Sequence, residues 1–535
     1  MRKLLNIFLL AIIVSFASQS CTDLDETVYS SIISDNFYQT EEQIISSMAP
    51  AYGLMRNLIG HQTMFVLDNW CTDEFLVPTR GAHWYDGGTY QRYHEHTWTP
   101  ETNFLNQAWS SLYRVSNQAN MLLYQFDQLD HMNPELKSAF SAELKILRAW
   151  SYWHLLDKFG NPPIVERFDV EPGFSPENNV DFTTGRKAVF EFIENDLVEN
   201  FDKLSVAADL STYGRFNKWA ALALMTKLYI NAEVWTGEAK WDEVIKYADK
   251  IINSGLYELE ENYFSNFISH NEGSSENIFV IPFDEYHTGR SWSSGITAVM
   301  YNVTHHFSML HAFGAPHRSN SGGAAIPSHV HSFDENDIRR RGWLVGPQYH
   351  RSTGEQLLCT AESAPLPLVL TIDFIDIQNP DSEVVFDHRN ALEYMGARKM
   401  KYEIDFDNAM PNDFAVFRYA DILLLKAEAL MRKNGGSATQ EAVELVNKVR
   451  SRAFSEENFQ PYTTASLTLE ALLQERSWEL YIEGHRRNDL VRFDKFVGGE
   501  WEFFDRSGQS STRNVYPIPQ RQMNVNPNLT QNPGY

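Results

Sequence analysis

The sequence is poor in cysteine, in basic residues and in long apolar runs, and each shortage excludes a class of protein. Its three cysteines, Cys21, Cys71 and Cys359, lie too far apart for the usual spacing of a zinc site. Lys and Arg number 45 against 70 Asp and Glu, and the formal net charge of −25 repels nucleic acid and anionic lipid surfaces. We therefore expect no nucleic-acid partner. Beyond the first twenty residues, no stretch is long and apolar enough to be a membrane helix.

The motifs of the common enzyme classes are also missing. We find no nucleophile elbow, no zinc-protease helix and no glycine-rich phosphate loop. A glycoside hydrolase needs only two carboxylates at the right separation, so the sequence leaves that class open without favouring it. We predict a protein that is not an enzyme, has no catalytic residues and uses no cofactor. Calcium held by loop carboxylates remains open.

The first residues have the form of an export signal. Arg2 and Lys3 precede an apolar run at 4–16, and small residues lead to Cys21. As a helix the run would reach roughly 20 Å, less than the ~30 Å of a hydrocarbon core. We predict a signal peptide at 1–20 and a lipidated linker at 21–39, with acylated Cys21 as the membrane anchor. An ordinary secretory signal followed by a chance cysteine is the alternative.

The remaining cysteines and the histidines give little support for a metal. Cys71 and Cys359 could pair in an oxidising compartment or stay as two buried thiols. His94 and His96 would face the same side of a strand and could share a metal ion. No Cys or carboxylate completes the set at a diagnostic spacing. We predict no metal site.

Helical periodicity occurs in pairs. The first pair covers 217–234 and 241–253, and the second covers 418–432 and 439–452. Apolar residues recur at i, i+3, i+4 and i+7 in the second helix of each pair. Each pair has about the ~34 residues of a tetratricopeptide unit. Ser437 and Gln440 predict a capping box before the last of these helices.

The order of these segments predicts one mostly α-helical unit, a tetratricopeptide-like scaffold of helical pairs that carries a loop-rich insertion. Further helices are expected at 103–129, 134–159, 186–204 and 467–483. We divide the chain into a first scaffold part at 40–260 with an aromatic loop at 78–98, a loop-rich, ligand-side insertion at 261–415, and a second scaffold part with an extended C-terminal tail at 416–535.

Aromatic residues are abundant, at 13% of the chain, and some lie among glycines rather than at helical spacing. A sugar-binding surface needs flat apolar rings with planar polar groups beside them. Arg80, Trp84, Tyr85 and Asp86 provide both on a glycine-bearing loop, and Trp292 lies among Ser and Gly of the insertion. We predict these five residues as the ligand-binding site. The alternative for each ring is packing against the helices.

Two other aromatic patches are candidates for exposure. One runs from Tyr286 to Tyr301, and the other contains Trp343 and Tyr349. Trp98, which directly precedes a predicted helix, is expected to be a packing residue.

Recognisable motifs are spread over nearly the whole chain after the signal. They are the segments 78–88 and 96–98, and then Arg418–Ala429, Glu475–Leu480, Glu483–Arg486 and Tyr516–Tyr535. Together with the lipoprotein-type start, these segments resemble the SusD/RagB family and follow the order of that family. The segments 78–88 and 96–98 are similar to one branch of it.

The resemblance implies a fold and a role. Such proteins are helical tetratricopeptide scaffolds with variable loops, lipid-anchored at the outer membrane. They bind oligosaccharide, are not enzymes, and form a lid on a SusC-like TonB-dependent transporter. The resemblance therefore implies three partners: an oligosaccharide ligand, a SusC-like transporter, and the outer membrane reached through the lipid, facing outward. A minority of relatives handle peptides, so an oligopeptide ligand is the alternative.

Overall fold

The computed structural model describes residues 38–79, 84–288, 295–359, 366–373 and 395–535. Over these ranges the protein is mostly helical with a few short strands, as the periodicity predicts. The predicted signal peptide and Cys21 lie outside the described residues. Among the helices that are described, none is both long and apolar enough to cross a membrane.

The first scaffold part is a succession of helices joined by short loops. Its helices are α1 (Glu41–Met55), α2 (Met64–Asn69), α3 (Thr89–His94), α4 (Leu105–Asp127), α5 (Pro134–Phe159), α6 (Phe182–Val198), α7 (Lys218–Ile230), α8 (Ala232–Thr236) and α9 (Trp241–Ile252). Helix α4 packs on α5, α5 on α6, and α7 on α9. Helix α5 begins after the Asn133 cap with Pro134 at its first position, and ends at Gly160, whose φ is 71°.

In its described residues the insertion contains only short helices, and longer ones return in the second scaffold part. These helices are α10 (Gly295–Thr297), α11 (Leu310–Phe313), α12 (Pro327–His331), α13 (Tyr419–Lys433), α14 (Gln440–Ser451), α15 (Leu469–Leu480), α16 (Arg486–Arg492) and α17 (Gln520–Val525). Helix α13 packs against α14, as the second predicted pair requires, and also against α9 of the first pair. The two pairs are therefore neighbours although the insertion separates them in sequence.

One predicted cap is wrong. The side chain of Thr439, not Ser437, accepts a hydrogen bond from the N–H of Ala442 at the start of α14. Thr439 stands directly before the first helical residue, which is the position from which a hydroxyl reaches the free N–H groups of the first turn.

The strands are short and pair in twos. They are β1 (Phe75–Leu76), β2 (Asn277–Ile281), β3 (Ala324–Ala325), β4 (Trp343–Leu344), β5 (Gly346–Pro347), β6 (Leu358–Cys359), β7 (Leu366–Pro367), β8 (Val369–Leu370), β9 (Arg398–Lys399), β10 (Phe414–Arg418), β11 (Glu500–Trp501) and β12 (Phe504–Asp505). Their antiparallel pairs are β1–β3, β2–β10, β4–β9, β5–β8, β6–β7 and β11–β12. The β2–β10 pair brings together the two sequence ends of the insertion, and β1–β3 joins the insertion to the loop that follows α2.

Charged residues of the family-like motifs are buried as ion pairs. Arg418 pairs with Glu276 and, at 2.7 Å, with Glu483, while Arg452 lies 2.6 Å from Glu479. Burial alone would raise the pKa of Glu479, but the surrounding arginines, Arg452 first, lower it to about 2. This network, which we call the Glu479 network, connects β10, α15 and the loop before β2. The motifs therefore specify the scaffold that carries the insertion.

The two cysteines of the described chain are buried in different hydrophobic clusters and are not joined to each other. The thiol of Cys71 lies 3.2 Å from the Leu67 carbonyl oxygen and accepts a hydrogen bond from the Tyr516 hydroxyl. Burial raises the pKa of the Cys71 thiol to about 11. The sequence left open a disulfide between Cys71 and Cys359 or two buried thiols, and the structure has two buried thiols.

His94 and His96 do not form a metal site. His94 ends helix α3 rather than lying on a strand, and its Nε2 meets the Glu502 carbonyl oxygen at 3.0 Å. The His96 Nε2 lies 2.9 Å from the Cys71 carbonyl oxygen. Both rings are buried, and within the described ranges no three His, Cys, Asp or Glu side chains are placed to share a metal ion.

Candidate functional site

The loop before α3 has an unusual backbone. Trp84 and Asp86 have φ values of 63° and 45°, and Gly87 and Gly88 have 64° and 77°. Left-handed backbone suits the two glycines but is uncommon at Trp and Asp, where it costs on the order of 1–3 kcal/mol. Such a conformation persists only where the surroundings fix it. We call residues 84–88 the Trp84 loop.

The side chain of Trp84 provides that fixation. Its indole nitrogen donates a hydrogen bond to the main-chain oxygen of Asn320, 2.7 Å away in the insertion. Its ring also makes an edge contact with Tyr90, with the ring centroids 5.1 Å apart. Trp84 is thus half-buried and packed against the core. The contact with Asn320 links the first scaffold part to the insertion across 236 positions of sequence.

Two glycines of the insertion make this close packing possible. A Cβ atom on Gly322 would lie 2.6 Å from the Trp84 ring and 2.5 Å from the Val303 carbonyl oxygen, and one on Gly323 would lie 2.2 Å from the Phe75 ring. Real side chains do not approach so closely. Only glycine therefore fits at 322 against the Trp84 ring and at 323 against the Phe75 ring.

The remaining polar and aromatic groups of the loop face water. Tyr85 is 38% exposed and Asp86 is exposed, while Tyr90 below them is buried. The Asp86 main-chain oxygen accepts a hydrogen bond from the Thr89 hydroxyl, which ties the loop to the first turn of α3. The loop therefore presents one ring and one carboxylate on a fixed backbone.

The insertion supports the loop through hydrogen bonds of its own. The N–H of Asn320 donates to the Asn302 carbonyl oxygen at 2.7 Å, and the side chain of Asn302 meets His317 Nε2 at 3.0 Å. The Tyr301 hydroxyl donates to the His317 carbonyl oxygen. Sequence reasoning missed Asn302, His317, Asn320 and Gly322. Gly322-Gly323 within a run of Ser and Asn was the available signal.

The predicted site residues are only partly placed by the structure. Trp84, Tyr85 and Asp86 lie together on the Trp84 loop, whereas Arg80 and Trp292 lie outside the described residues. A single ligand site made of these five residues stays a prediction.

The other two aromatic patches divide between surface and core. Tyr286 is 83% exposed on a turn closed by the Asp284 carboxylate, which accepts from the N–H groups of Tyr286 and His287. Tyr301, at the other end of that patch, is fully buried. Tyr349 is 52% exposed, but the expectation that Trp343 is exposed is wrong, because it is 2% exposed and its ring packs beside Tyr481.

Comparison with known proteins gives the same family at both ends of the chain. The family profile described as "SusD family" matches residues 407–535, and the profile described as "Starch-binding associating with outer membrane" matches residues 24–230. The two profiles cover the second scaffold part and the first as far as residue 230, and they leave 231–406, with most of the insertion, unmatched. The chain belongs to the SusD/RagB family.

Curated relatives and solved structures agree with that assignment. The chain is 26% identical to the starch-binding protein SusD of Bacteroides thetaiotaomicron, over 89% of this chain and 86% of that protein. It is 25% identical to the SusD-like protein P25 of Formosa agariphila, over 99% and 98% of the two chains. A laminarin-binding SusD-like protein superposes with a TM-score of 0.70 at 22% identity, covering 93% of this chain and all of that one.

A second solved structure shares the fold at lower identity. The surface glycan-binding protein A of Bacteroides thetaiotaomicron, in complex with laminarihexaose, has a TM-score of 0.68 at 18% identity, over 92% of this chain and all of that one. At these identities the solved structures establish the fold alone. That fold is mostly helical, as the periodicity predicts.

Proposed function

We propose that this protein is a surface lipoprotein that binds oligosaccharide and delivers it to a SusC-like TonB-dependent transporter in the outer membrane. Its role is binding, with no chemistry performed on the ligand. The family membership supports this role, as does the profile that associates the N-terminal half with starch binding and the outer membrane. The observation that carries the proposal is the Trp84 loop, a strained loop that the half-buried Trp84 side chain fixes and that exposes the Tyr85 ring and the Asp86 carboxylate.

The geometry suggests a division of roles among the predicted site residues. Trp84 has its N–H donor engaged and one glycine packed against its ring, so we assign it the positioning of the loop. Tyr85 offers an exposed ring that can stack on a pyranose, and Asp86 offers a carboxylate that can accept hydrogen bonds from two hydroxyls. We also include Arg80 and Trp292 in the proposed site, on the basis of the sequence alone.

A glycan array tests the proposed function directly. A soluble form of the protein that begins after Cys21 should bind neutral oligosaccharides on the array and should not bind a peptide library of comparable size. Peptide hits without glycan hits would contradict the proposal in favour of an oligopeptide carrier. Each glycan that binds should be recovered intact after long incubation, because release of shorter sugars would indicate a hydrolase.

The transporter partner is tested separately. Extraction of membranes in mild detergent, followed by capture of the tagged lipoprotein, should recover a large β-barrel transporter in stoichiometric amount. Recovery of the lipoprotein alone, with glycan binding intact, would remove the transporter from the proposal and leave the binding role.

A further inference from the structure

A groove lies apart from the Trp84 loop. It has a volume of about 630 Å³ and opens between α15, α16 and the β11–β12 hairpin. No residue of 84–88 or 301–323 lines it, so it is separate from the candidate site within the part of the chain that the structure describes. The lining groups that bear on its chemistry are Asp73, Gln474, Arg486, Gly499, Trp501 and Glu502.

The ring of Trp501 is fixed by contacts with Arg506 and His96. The guanidinium carbon of Arg506 lies 3.4 Å from the ring centroid, and the His96 ring meets it edge-on at 5.7 Å. Arg506 is fully buried, whereas Trp501 is partly exposed and lines the groove. A guanidinium on one face fixes the ring without covering the other, and cation–π contact makes the arrangement favourable. Trp501 is therefore a fixed aromatic platform at the edge of a groove.

The polar groups of the groove include donors and acceptors in fixed positions. Asp73 and Arg486 form a two-bond pair at 2.7 and 2.6 Å, in which the Arg486 side chain is 7% exposed and that of Asp73 is 37% exposed. The Asp73 carboxylate therefore keeps lone pairs directed at solvent while the arginine holds it in place. Gln474 is half-buried and uses one N–H on the Ser332 hydroxyl.

The charge around the groove selects among possible ligands. Glu470, Asp494 and Glu502 line it with Asp73, against the cations Arg486 and Lys495. Arg486 and Asp73 offset each other, and the three carboxylates Glu470, Asp494 and Glu502 then outnumber Lys495, so the surface is acidic and disfavours anionic sugars. A neutral pyranose matches what remains, because its apolar face suits a tryptophan and its hydroxyls both donate and accept.

We propose that this groove is a second binding site for neutral oligosaccharide, with Trp501 as the stacking platform and Asp73, Gln474 and Glu502 as partners of the hydroxyls. The proposal extends the proposed function to a separate surface and rests on it for the class of ligand. The two sites are connected by a short piece of chain. Gly322 contacts Trp84 at the first site, and Ile326, four residues further on, lines the groove. Four residues of backbone span at most about 14 Å, so one long polysaccharide chain could occupy both sites.

Fluorine NMR of the purified protein labelled with 5-fluorotryptophan tests the proposal. The substitution Trp501→Phe identifies the Trp501 signal among those of the 13 tryptophans. We expect a saturable shift of that signal on titration with maltohexaose or laminarihexaose. Gln474→Ala should raise the concentration for half-saturation about three- to tenfold while the melting temperature stays constant. If neither sugar moves the Trp501 signal, the proposal is wrong.

A double variant separates this site from the Trp84 loop. Tyr85→Ala combined with Asp86→Ala should leave the shift of the Trp501 signal in place, because neither residue lines the groove. Loss of the shift in that variant would show that the signal reports only on the Trp84 loop and would overturn the second site. If the Trp501 signal shifts while the Trp84 loop itself binds no sugar, the groove is supported as a binding site. The same result would contradict the binding site that the proposed function places at the Trp84 loop.

Discussion

The indole nitrogen of Trp84 lies 2.7 Å from the main-chain oxygen of Asn320, and this hydrogen bond holds the loop of one scaffold part against the insertion. The two residues belong to segments that are 236 positions apart. The contact explains how a loop with left-handed backbone at Trp84 and Asp86 keeps a single shape. It also means that residues without ligand contact can control the proposed site.

Gly322→Ala should therefore weaken glycan binding without altering any residue that is proposed to touch the ligand. The new methyl group would meet the Trp84 ring at 2.6 Å and displace the loop. We expect affinity to fall on the order of tenfold, measured by calorimetry with a glycan identified on the array. Gly508→Ala is the matched control, because a Cβ atom there meets nothing within 4 Å. Equal affinity in both variants would show that the packing under Trp84 does not shape the site.

Tyr85→Ala should reduce glycan affinity and leave stability unchanged. Loss of one stacking ring costs on the order of 1–3 kcal/mol of binding free energy, whereas an exposed side chain contributes little to folding. Tyr124→Ala on α4 is the control, since Tyr124 is 39% exposed against 38% for Tyr85. Calorimetry and thermal melting should separate the two variants. A lower melting temperature with unchanged affinity for Tyr85→Ala would identify that ring as a packing group.

Cys21→Ala should abolish the lipid anchor. In growing cells, labelled fatty acid should enter the wild-type protein and not the variant, because the thioether sulfur of the anchor comes from that cysteine. Protease added to intact cells should degrade the wild-type protein if it faces outward. Equal labelling of the two proteins would refute the lipoprotein prediction and leave an ordinary secretory signal.

The helical scaffold was predictable because its signals are local. Apolar spacing in 241–253 and 439–452 depends on residues within two or three turns. The observed helix Trp241–Ile252 is one residue shorter than its predicted range at one end, and Gln440–Ser451 is one residue shorter at each end. The pairing of β2 with β10 and the burial of Trp343 depend on contacts between distant segments. Gly342 and Gly346 around Trp343 indicate a loop, but they do not show that the Trp343 ring packs on Tyr481.

The same limit applies to the candidate site. Composition and glycine spacing were enough to select Trp84, Tyr85 and Asp86 as members of one loop. They could not show which ring is the anchor, because the acceptor for the Trp84 indole is a main-chain oxygen in the insertion. Every residue type has a main-chain oxygen, so the identity of residue 320 does not reveal that it accepts this hydrogen bond.

Glu479→Gln should destabilise the fold strongly. Glu479 is fully buried between Arg418 and Arg452, and removal of its charge leaves both arginines with less compensation. Breaking a buried pair costs on the order of 3–5 kcal/mol, whereas an exposed pair contributes at most about 1 kcal/mol. Glu243→Gln is the control, because Glu243 pairs with Lys246 at the surface of α9. Urea unfolding should show a large decrease in the free energy of unfolding for the first variant and almost none for the second.

Glu74→Gln should gain stability relative to the wild type as the pH rises. Burial raises the pKa of Glu74 to about 7, although Arg486 acts in the opposite direction. Because this folded value exceeds the unfolded one, the protonated carboxyl stabilises the fold at low pH, and that contribution is lost as the pH rises through about 7. Glutamine cannot ionise, and its carbonyl oxygen can still accept the hydrogen bond that Ser477 donates to Glu74.

Thermal melting of both proteins from about pH 5 to about pH 8 measures the effect. The melting temperature of the variant should rise relative to that of the wild type across that range. Glu428→Gln is the control. Burial alone would raise the pKa of Glu428, but Arg492 and Arg432 hold it below its usual value, so this carboxyl titrates at lower pH. Its variant should therefore differ from the wild type by a constant amount over the same range. A constant difference for Glu74→Gln as well would show that Glu74 is ionised in the folded protein throughout, and that Arg486 outweighs burial.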